Sequence, residues 1–416
     1  MPTPINASSN TRAIFITTVL YLRSARKDLL LGTTKPMAVR NGIDRLEQYL
    51  DGLRRARVGV ITNHTGLTIE REHLIDKLRR LGITVSAIFS PEHGIRGQLD
   101  APVPDSVDER TGIPIYSLYG ERTKPTPQQL ANIDALIFDI QDIGVRYYTY
   151  ISTMGLAMEA AAERKIPFYV LDRVNPIGGV VVEGPLADAD RLSFTAYHTI
   201  PLRHGMTVGE LARLFNAERG IGVELIVVPC EGWKRTMTFD ECNLYWVNPS
   251  PNMRRLQQAF LYVGIGVWEA TNLSVGRGTD TPFEVVGAPW IDGRRLASML
   301  NELPTSAGAR FVPVVFTPTA STYRGVECQG VSICITERAQ LRPFALGIGL
   351  AYCLRKLYPR EWEVHKALGL VANREIHAML MDGAEPERIL QRCARDVAAF
   401  QRRREPFLLY EGGAPA

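Results

Sequence analysis

Glu92 and His93 supply an acid beside an imidazole, just past the apolar run at residues 85–89 and directly before Gly94. Residues 85–88 (VSAI) read as a buried strand. Ser90 and Pro91 stop it, because proline lacks the N–H that a central ladder needs. Polar groups just beyond a strand end sit where open α/β sheets place their ligands. The plain alternative, a turn whose polar residues face water, carries equal weight on local sequence.

A second set follows residues 135–139 (ALIFD): Asp139, Gln141, Asp142, Arg146 and the tyrosines Tyr147, Tyr148 and Tyr150. Planar polar groups and rings over a strand end suit a sugar. The alternative has Asp139 capping the next helix and the tyrosines lining the core. A third set, Asp172, Arg173 and Asn175, follows residues 168–171 (FYVL), and Asn63 to Gly66 follow residues 57–62 (RVGVIT).

The sequence contains no GxGxxG, GxxxxGK[ST] or GxSxG pattern. This argues against a dinucleotide, a P-loop nucleotide and a serine nucleophile. The six cysteines show no zinc spacing. Carboxylate chemistry is better supplied. Glycoside hydrolysis needs one carboxylic acid near the leaving oxygen and a second group for water or the oxocarbenium-like state. Burial or a like charge raises the pKa of the acid. Glu92 fits the acid, and Asp139, Asp142 or Glu269 the second group.

Elements that would position these residues alternate regularly. A helix over 42–55, the strand 57–62, a helix over 70–81 and the strand at 85 form a βαβ unit with both polar loops on one sheet edge. With the strands at 115, 135 and 168 this predicts an α/β domain over residues 41–192, preceded by a poorly ordered leader, 1–40. A mixed α/β region, 193–416, follows. In it Thr207 and Glu210 form a capping box, residues 223–228 a strand, and residues 343–357 and 386–402 long helices. The glycine-rich segment 276–280 reads as an anion-binding loop or a tight turn. Residues 407–410 read as an edge strand or a clamp onto the second region.

Hydrophobic residues make up 45% and charged residues 22%, an ordinary globular balance. The net charge of +4 is too small for a nucleic-acid partner, and the arginine clusters read as solvated helix faces. Residues 13–22 are apolar but too short to span a bilayer, which predicts no stable membrane insertion. They have the length of a signal-peptide core with only Arg12 before them, and leave export and cytoplasm both open.

Ten segments in order resemble the exo-β-N-acetylmuramidases, a family formerly catalogued as a domain of unknown function. Among them are VGVITNHTG (58–66), FSPEHGIRG (89–97), DIQDIGVRYYTYISTM (139–154), LDRVNP (171–176), WVNPSPNM (246–253) and EATNLSVGRGTDTPFEVVGAPW (269–290). The resemblance implies a Rossmann-like N-terminal domain without a dinucleotide, a smaller α/β domain and an active site in the cleft between them. It implies release of terminal N-acetylmuramic acid from peptidoglycan fragments, without cofactor or metal. Glu92 falls on the proposed catalytic glutamate, with His93 and Asp142 beside it as catalytic candidates. Asn63, His64, Arg96, Arg146, Tyr148, Arg173, Asn175, His204, Asn252, Glu269, Asn272 and Arg277 fall on polar motif positions expected to bind substrate. The lactyl carboxylate of that substrate calls for an arginine, with Arg146, Arg203 and Arg277 as candidates. A hydrolase for another amino sugar and a non-catalytic muropeptide-binding protein are the alternatives.

Overall fold

Apolar runs bounded by turn residues become the strands of one central sheet. The computed structural model describes residues 38–97 and 104–412, so the apolar run at 13–22 lies outside the described residues. The strands are β1 (Arg57–Thr62), β2 (Thr84–Ser90), β3 (Ser106–Val107), β4 (Pro114–Ser117), β5 (Ala135–Asp139), β6 (Phe168–Leu171), β7 (Glu183–Leu186), β8 (Pro201–Arg203) and β9 (Leu225–Val228). Seven of them form a sheet in the order β3-β4-β2-β1-β5-β6-β9. All its pairings are parallel except β3 with β4. β5 and β6 are buried throughout, as a sheet covered on both faces requires.

Alternation along β5 shows the two layers. Leu136 and Phe138 join the core of α2 (Tyr150–Arg164) and α3 (Val208–Glu218). Ala135 and Ile137 face the opposite core, with Leu74 and Leu78 of α1 (Leu74–Arg80). α1 starts later than the periodicity predicts. Arg71 takes a left-handed φ of 69° and His73 caps the helix, its Nδ1 accepting from Ile75 N at 3.3 Å. The helix expected over 42–55 is two short pieces, Gly42–Arg45 and a 3-10 turn, Leu46–Tyr49. The capping box of α3 forms: Thr207 Oγ1 accepts from Glu210 N, and Glu210 Oε2 accepts from Thr207 N.

The division expected at 192/193 falls inside the part of the chain that builds the sheet, because β9 pairs with β6 through Val170 and Val227. A second sheet follows: β10 (Val285–Ala288), β11 (Ala309–Phe316) and β12 (Cys328–Ile335), antiparallel in the order β10-β12-β11. α4 (Leu256–Ile265), α5 (Gly293–Glu302) and α6 (Pro343–Leu357) accompany it, and α7 (Pro386–Arg404) packs on β7. Residues 407–410 form no strand. The Tyr410 hydroxyl accepts from Cys230 N and donates to Asp172, so the clamp is onto the first sheet. No helix of the described residues is long and apolar enough to cross a membrane.

Candidate active site

Parallel strands bring the ends of β4, β2, β1, β5, β6 and β9 to one edge of the sheet. Beyond β2 the chain makes a tight turn in which His93 and Gly94 both adopt positive φ, 70° and 72°. A left-handed backbone at a non-glycine residue is held against its preference, a feature concentrated at functional sites. The turn lets Glu92 and His93 line a cleft of about 730 Å³ with Tyr148, Asn252, Glu269 and Arg277. The Thr149 hydroxyl donates to Glu92 Oε2 at 2.5 Å and fixes one carboxyl oxygen.

The opposite wall comes from the second half of the chain. α4 runs into a 3-10 turn, Gly266–Ala270, that presents Glu269. Tyr262 Oη donates to Glu269 Oε1 at 3.3 Å, and Arg277 Nη1 donates to Oε2 at 3.2 Å. Burial pushes the Glu269 carboxyl up; Arg277 opposes this and the charge of Glu92 adds to it. The side chain keeps 22% of its surface exposed. It therefore combines a proton held more tightly than usual with access to a ligand.

Tyrosines pack between the two carboxyls. The Tyr148 ring lies 4.9 Å from Tyr150 and 6.0 Å from Tyr262, both edge-on. Burial raises all three phenols, so each stays a neutral hydrogen-bonding group. Tyr150 Oη donates to Pro249 O at 2.6 Å and Tyr147 Oη to Tyr262 O at 2.5 Å. These bonds tie the β5 loop to the segment 246–253 and to α4.

Other expected site residues support this cleft without lining it. His64 Nε2 shares a 2.7 Å hydrogen bond with Asn248 O. Its ring packs so closely on Gly97 that a Cβ there would lie 1.8 Å from Cε1. His64 thus braces the Glu92 turn against the segment carrying Asn252, and its burial lowers its pKa. Asn63 is buried, and its Oδ1 accepts from both N and Oγ1 of Thr65. Arg96 is exposed and outside the lining.

Asp142 and His204 lie buried together, Oδ2 to Nε2 3.8 Å, and neither lines the cleft. Burial raises Asp142 to about 7 and lowers His204 to about 3. Asn175 is committed to Met206 O and Ile177 N, with Gly144 leaving it room at φ 84°. Asn272 joins Glu361 O and Glu363 N, stapling two loops.

Two of the three arginines proposed for a substrate carboxylate are structural. Arg146 is fully buried and donates to the carbonyls of Pro185, Ile200, Leu370 and Val371. Arg203 pairs with Glu183 at 2.9 Å and donates to Ile177 O. Arg173 holds Asp139 in a two-point ion pair, 2.5 and 3.0 Å, which removes Asp139 from the list of second carboxylates. The glycine-rich segment is a tight turn: Gly278 O accepts from Thr319 N, and a Cβ on Gly278 would lie 2.4 Å from Ala320 N.

Tyr119, Phe194, Thr195, Ser250, Tyr262 and Phe283 line the cleft without having been singled out by sequence. Tyr262 sits within an apolar helix, where nothing separates it from the core. Phe283 has φ 64°, which no sequence pattern announces. Thr149 lay in plain view between two tyrosines of the β5 loop.

Among the described residues, no group of three or more His, Cys, Asp or Glu side chains is placed to hold a metal ion. A mixed α/β scaffold thus presents two carboxyls, an arginine and a tyrosine wall in one cleft. The chain belongs to the exo-β-N-acetylmuramidase NamZ family: residues 58–257 match its N-terminal part and residues 260–410 its C-terminal part. It is 42% identical over 394 residues to the peptidoglycan β-N-acetylmuramidase NamZ of Bacillus subtilis, covering 93% of this chain and 95% of that one. Two crystal structures of DUF1343 family proteins from Bacteroides fragilis are similar. One has TM-score 0.78 and 36% identity, covering 90% of this chain and 100% of that one. The other has TM-score 0.73 and 30% identity, covering 90% and 99%.

Proposed function

We propose that this chain is an exo-β-N-acetylmuramidase that releases terminal N-acetylmuramic acid from peptidoglycan fragments. The observation that carries the reading is that Glu92 and Glu269 meet in one cleft with Arg277 and Tyr148. In this reading the parallel sheet is a Rossmann-like scaffold used without a dinucleotide, and the cleft between it and the second half is the active site.

Glu92, protonated, gives its proton to the glycosidic oxygen as the bond to the anomeric carbon breaks. Water adds to that carbon and its proton passes to a carboxylate of the cleft, so the bond is hydrolysed with no net gain of charge. Thr149 orients the Glu92 carboxyl. Glu269 is the second carboxyl, and its Arg277 partner gains the lactyl carboxylate of the sugar as a further ligand. His93, Asn252 and Tyr148 supply polar contacts around the ring. Asp142, His204, Asn63 and His64 act by positioning the loops.

The upward shift of Glu269 supports a second reading, in which Glu269 holds the proton and Glu92 assists water. Leaving-group chemistry separates them. An enzyme lacking its acid still cleaves an aryl muramide whose phenol leaves unaided, while losing the natural disaccharide. The first reading expects that pattern for Glu92→Gln and general loss for Glu269→Gln; the reverse pattern would exchange the roles. Wild-type turnover in Glu92→Gln would remove Glu92 from the chemistry.

A further inference from the structure

A second pocket of about 560 Å³ opens on the same sheet edge, and shares no lining residue with the Glu92 cleft. The chain moves outward from β1 to β2 and β4 on one side, and from β5 to β6 and β9 on the other. The strand order therefore reverses between β1 and β5. In open α/β sheets that crevice is the favoured place for a ligand. Thr65 and Leu67 after β1, Gln141 after β5 and Arg173 after β6 line the pocket.

Its chemistry differs from that of the cleft. No carboxylate or histidine lines it among the described residues. Arg173 is already neutralised by Asp139. Gln141 spends its amide nitrogen on the carbonyls of Asp142 and Val174, and no hydrogen bond engages its oxygen among the described residues. At the rim, the Arg71 guanidinium lies 4.2 Å over the ring of Tyr245, which is 68% exposed. No ion pair engages Arg71 among the described residues, and its backbone is left-handed, φ 69°. Trp246 and Leu244 add an apolar wall. The pocket is open at this rim, so a ligand held by Arg71 and Tyr245 need send only a small group inside, onto an apolar and aromatic wall with a few polar anchors.

We infer that this pocket is a second saccharide site, for an amino sugar carrying one carboxylate, which it binds without cleaving. The ring faces Tyr245 and Trp246, the carboxylate meets Arg71, and the acetamido N–H donates to the side-chain oxygen of Gln141. The choice of sugar rests on the muramidase reading above. The two sites have a physical link in residues 245–253. Tyr245, Trp246 and Val247 line the second pocket, and Ser250, Asn252 and Met253 the cleft. Trp246 Nε1 donates to Met253 O at 3.4 Å across that segment.

The same chemistry is offered by the released monosaccharide and by a muramic-acid residue of a longer glycan. Titration of the wild-type chain with N-acetylmuramic acid, followed by calorimetry and by chemical shifts, is expected to show two sites. The double variant Arg71→Ala, Tyr245→Ala should weaken one of them at least tenfold and leave the other. Arg71→Lys should weaken it less, because the charge remains. N-acetylglucosamine, lacking the carboxylate, should miss the second site. A muramic-acid-terminated disaccharide, titrated into Glu92→Gln protein, assigns the glycan as the occupant if it fills the second site more tightly than the monosaccharide, and the released sugar if less. A single site in the wild type, or two sites untouched by the double variant, would overturn the inference. Failure of the muramidase reading shows separately, as no release of N-acetylmuramic acid by the wild-type chain.

Discussion

Two halves of one sheet edge carry similar residues and treat them oppositely. At the β2 end, Glu92 follows its strand into an open turn and keeps a carboxyl in the cleft. At the β5 and β6 ends, Asp139 and Asp172 follow theirs into full burial. Arg173 holds the first, while Thr207, Gly209 and Tyr410 surround the second. An acid after a strand is thus no sign of chemistry by itself. What separates the two is whether neighbouring groups leave any of its oxygens for a ligand.

The sharpest way to break this comparison is to remove one acid from each half. Glu92→Gln should lower turnover on a natural disaccharide by about 10³-fold, the range of a lost general acid, with an unchanged melting curve. Release of N-acetylmuramic acid, measured by chromatography, checks it. Arg173→Ala should do the reverse. Removing one partner of a buried pair leaves Asp139 uncompensated and costs roughly 3–5 kcal/mol of stability. Urea unfolding reads that loss, and turnover per folded molecule should change far less than in Glu92→Gln. Full stability in Arg173→Ala would show that Asp139 is not held as its 2.5 Å contact implies.

The arginines allow a milder version of the same contrast. Arg277→Ala should raise KM for muramic-acid substrates by about 10- to 100-fold, the worth of one charge-assisted hydrogen bond. The effect should shrink for a substrate without the lactyl carboxylate. Arg146→Met should instead lose stability, since four backbone carbonyls lose their donor. An equal KM effect from both would undo the distinction between a cleft arginine and a core one.

Much of this was legible in the chain because it is local. Strands 57–62, 135–139 and 168–171 and helix 343–357 have the ends that sequence gives them, and the capping box at Thr207 forms as spaced. The site was legible only as residue types. Glu92, His93, Tyr148, Asn252, Glu269 and Arg277 reach the cleft, whereas Arg146, from the motif that carries Tyr148, and Arg173 and Asn175, from the neighbouring one, are buried outside it. Their partners are far away in sequence: Arg146 meets Val371, 225 residues on. No local pattern encodes such a pairing. The same distance hid Tyr410, whose clamp onto Asp172 spans 238 residues.

The smallest test concerns a buried acid behind the cleft. Asp142 has a folded-state pKa of about 7 against an ordinary 3.8. Between those values the folded chain keeps a proton that the unfolded chain releases. Stability from this group is therefore complete below pH 3.8 and is lost as pH rises through 7. His204 acts in the opposite sense, since its folded pKa of about 3 lies below its ordinary 6.5 and favours the folded state as pH rises to 6.5. Above pH 6.5 the His204 contribution is flat, and Asp142 falls together with Asp172, raised to about 7 by the same cause, so the comparison with Asp142→Asn isolates the Asp142 share. From pH 6 to 8 the wild type should lose roughly 1 kcal/mol through Asp142. Asp142→Asn should decline more gently by that amount, measured by urea midpoints at the two pH values, while Glu92→Gln should follow the wild-type slope. Equal slopes for Asp142→Asn and the wild type would place Asp142 in contact with water, on the open side of the comparison, alongside Glu92.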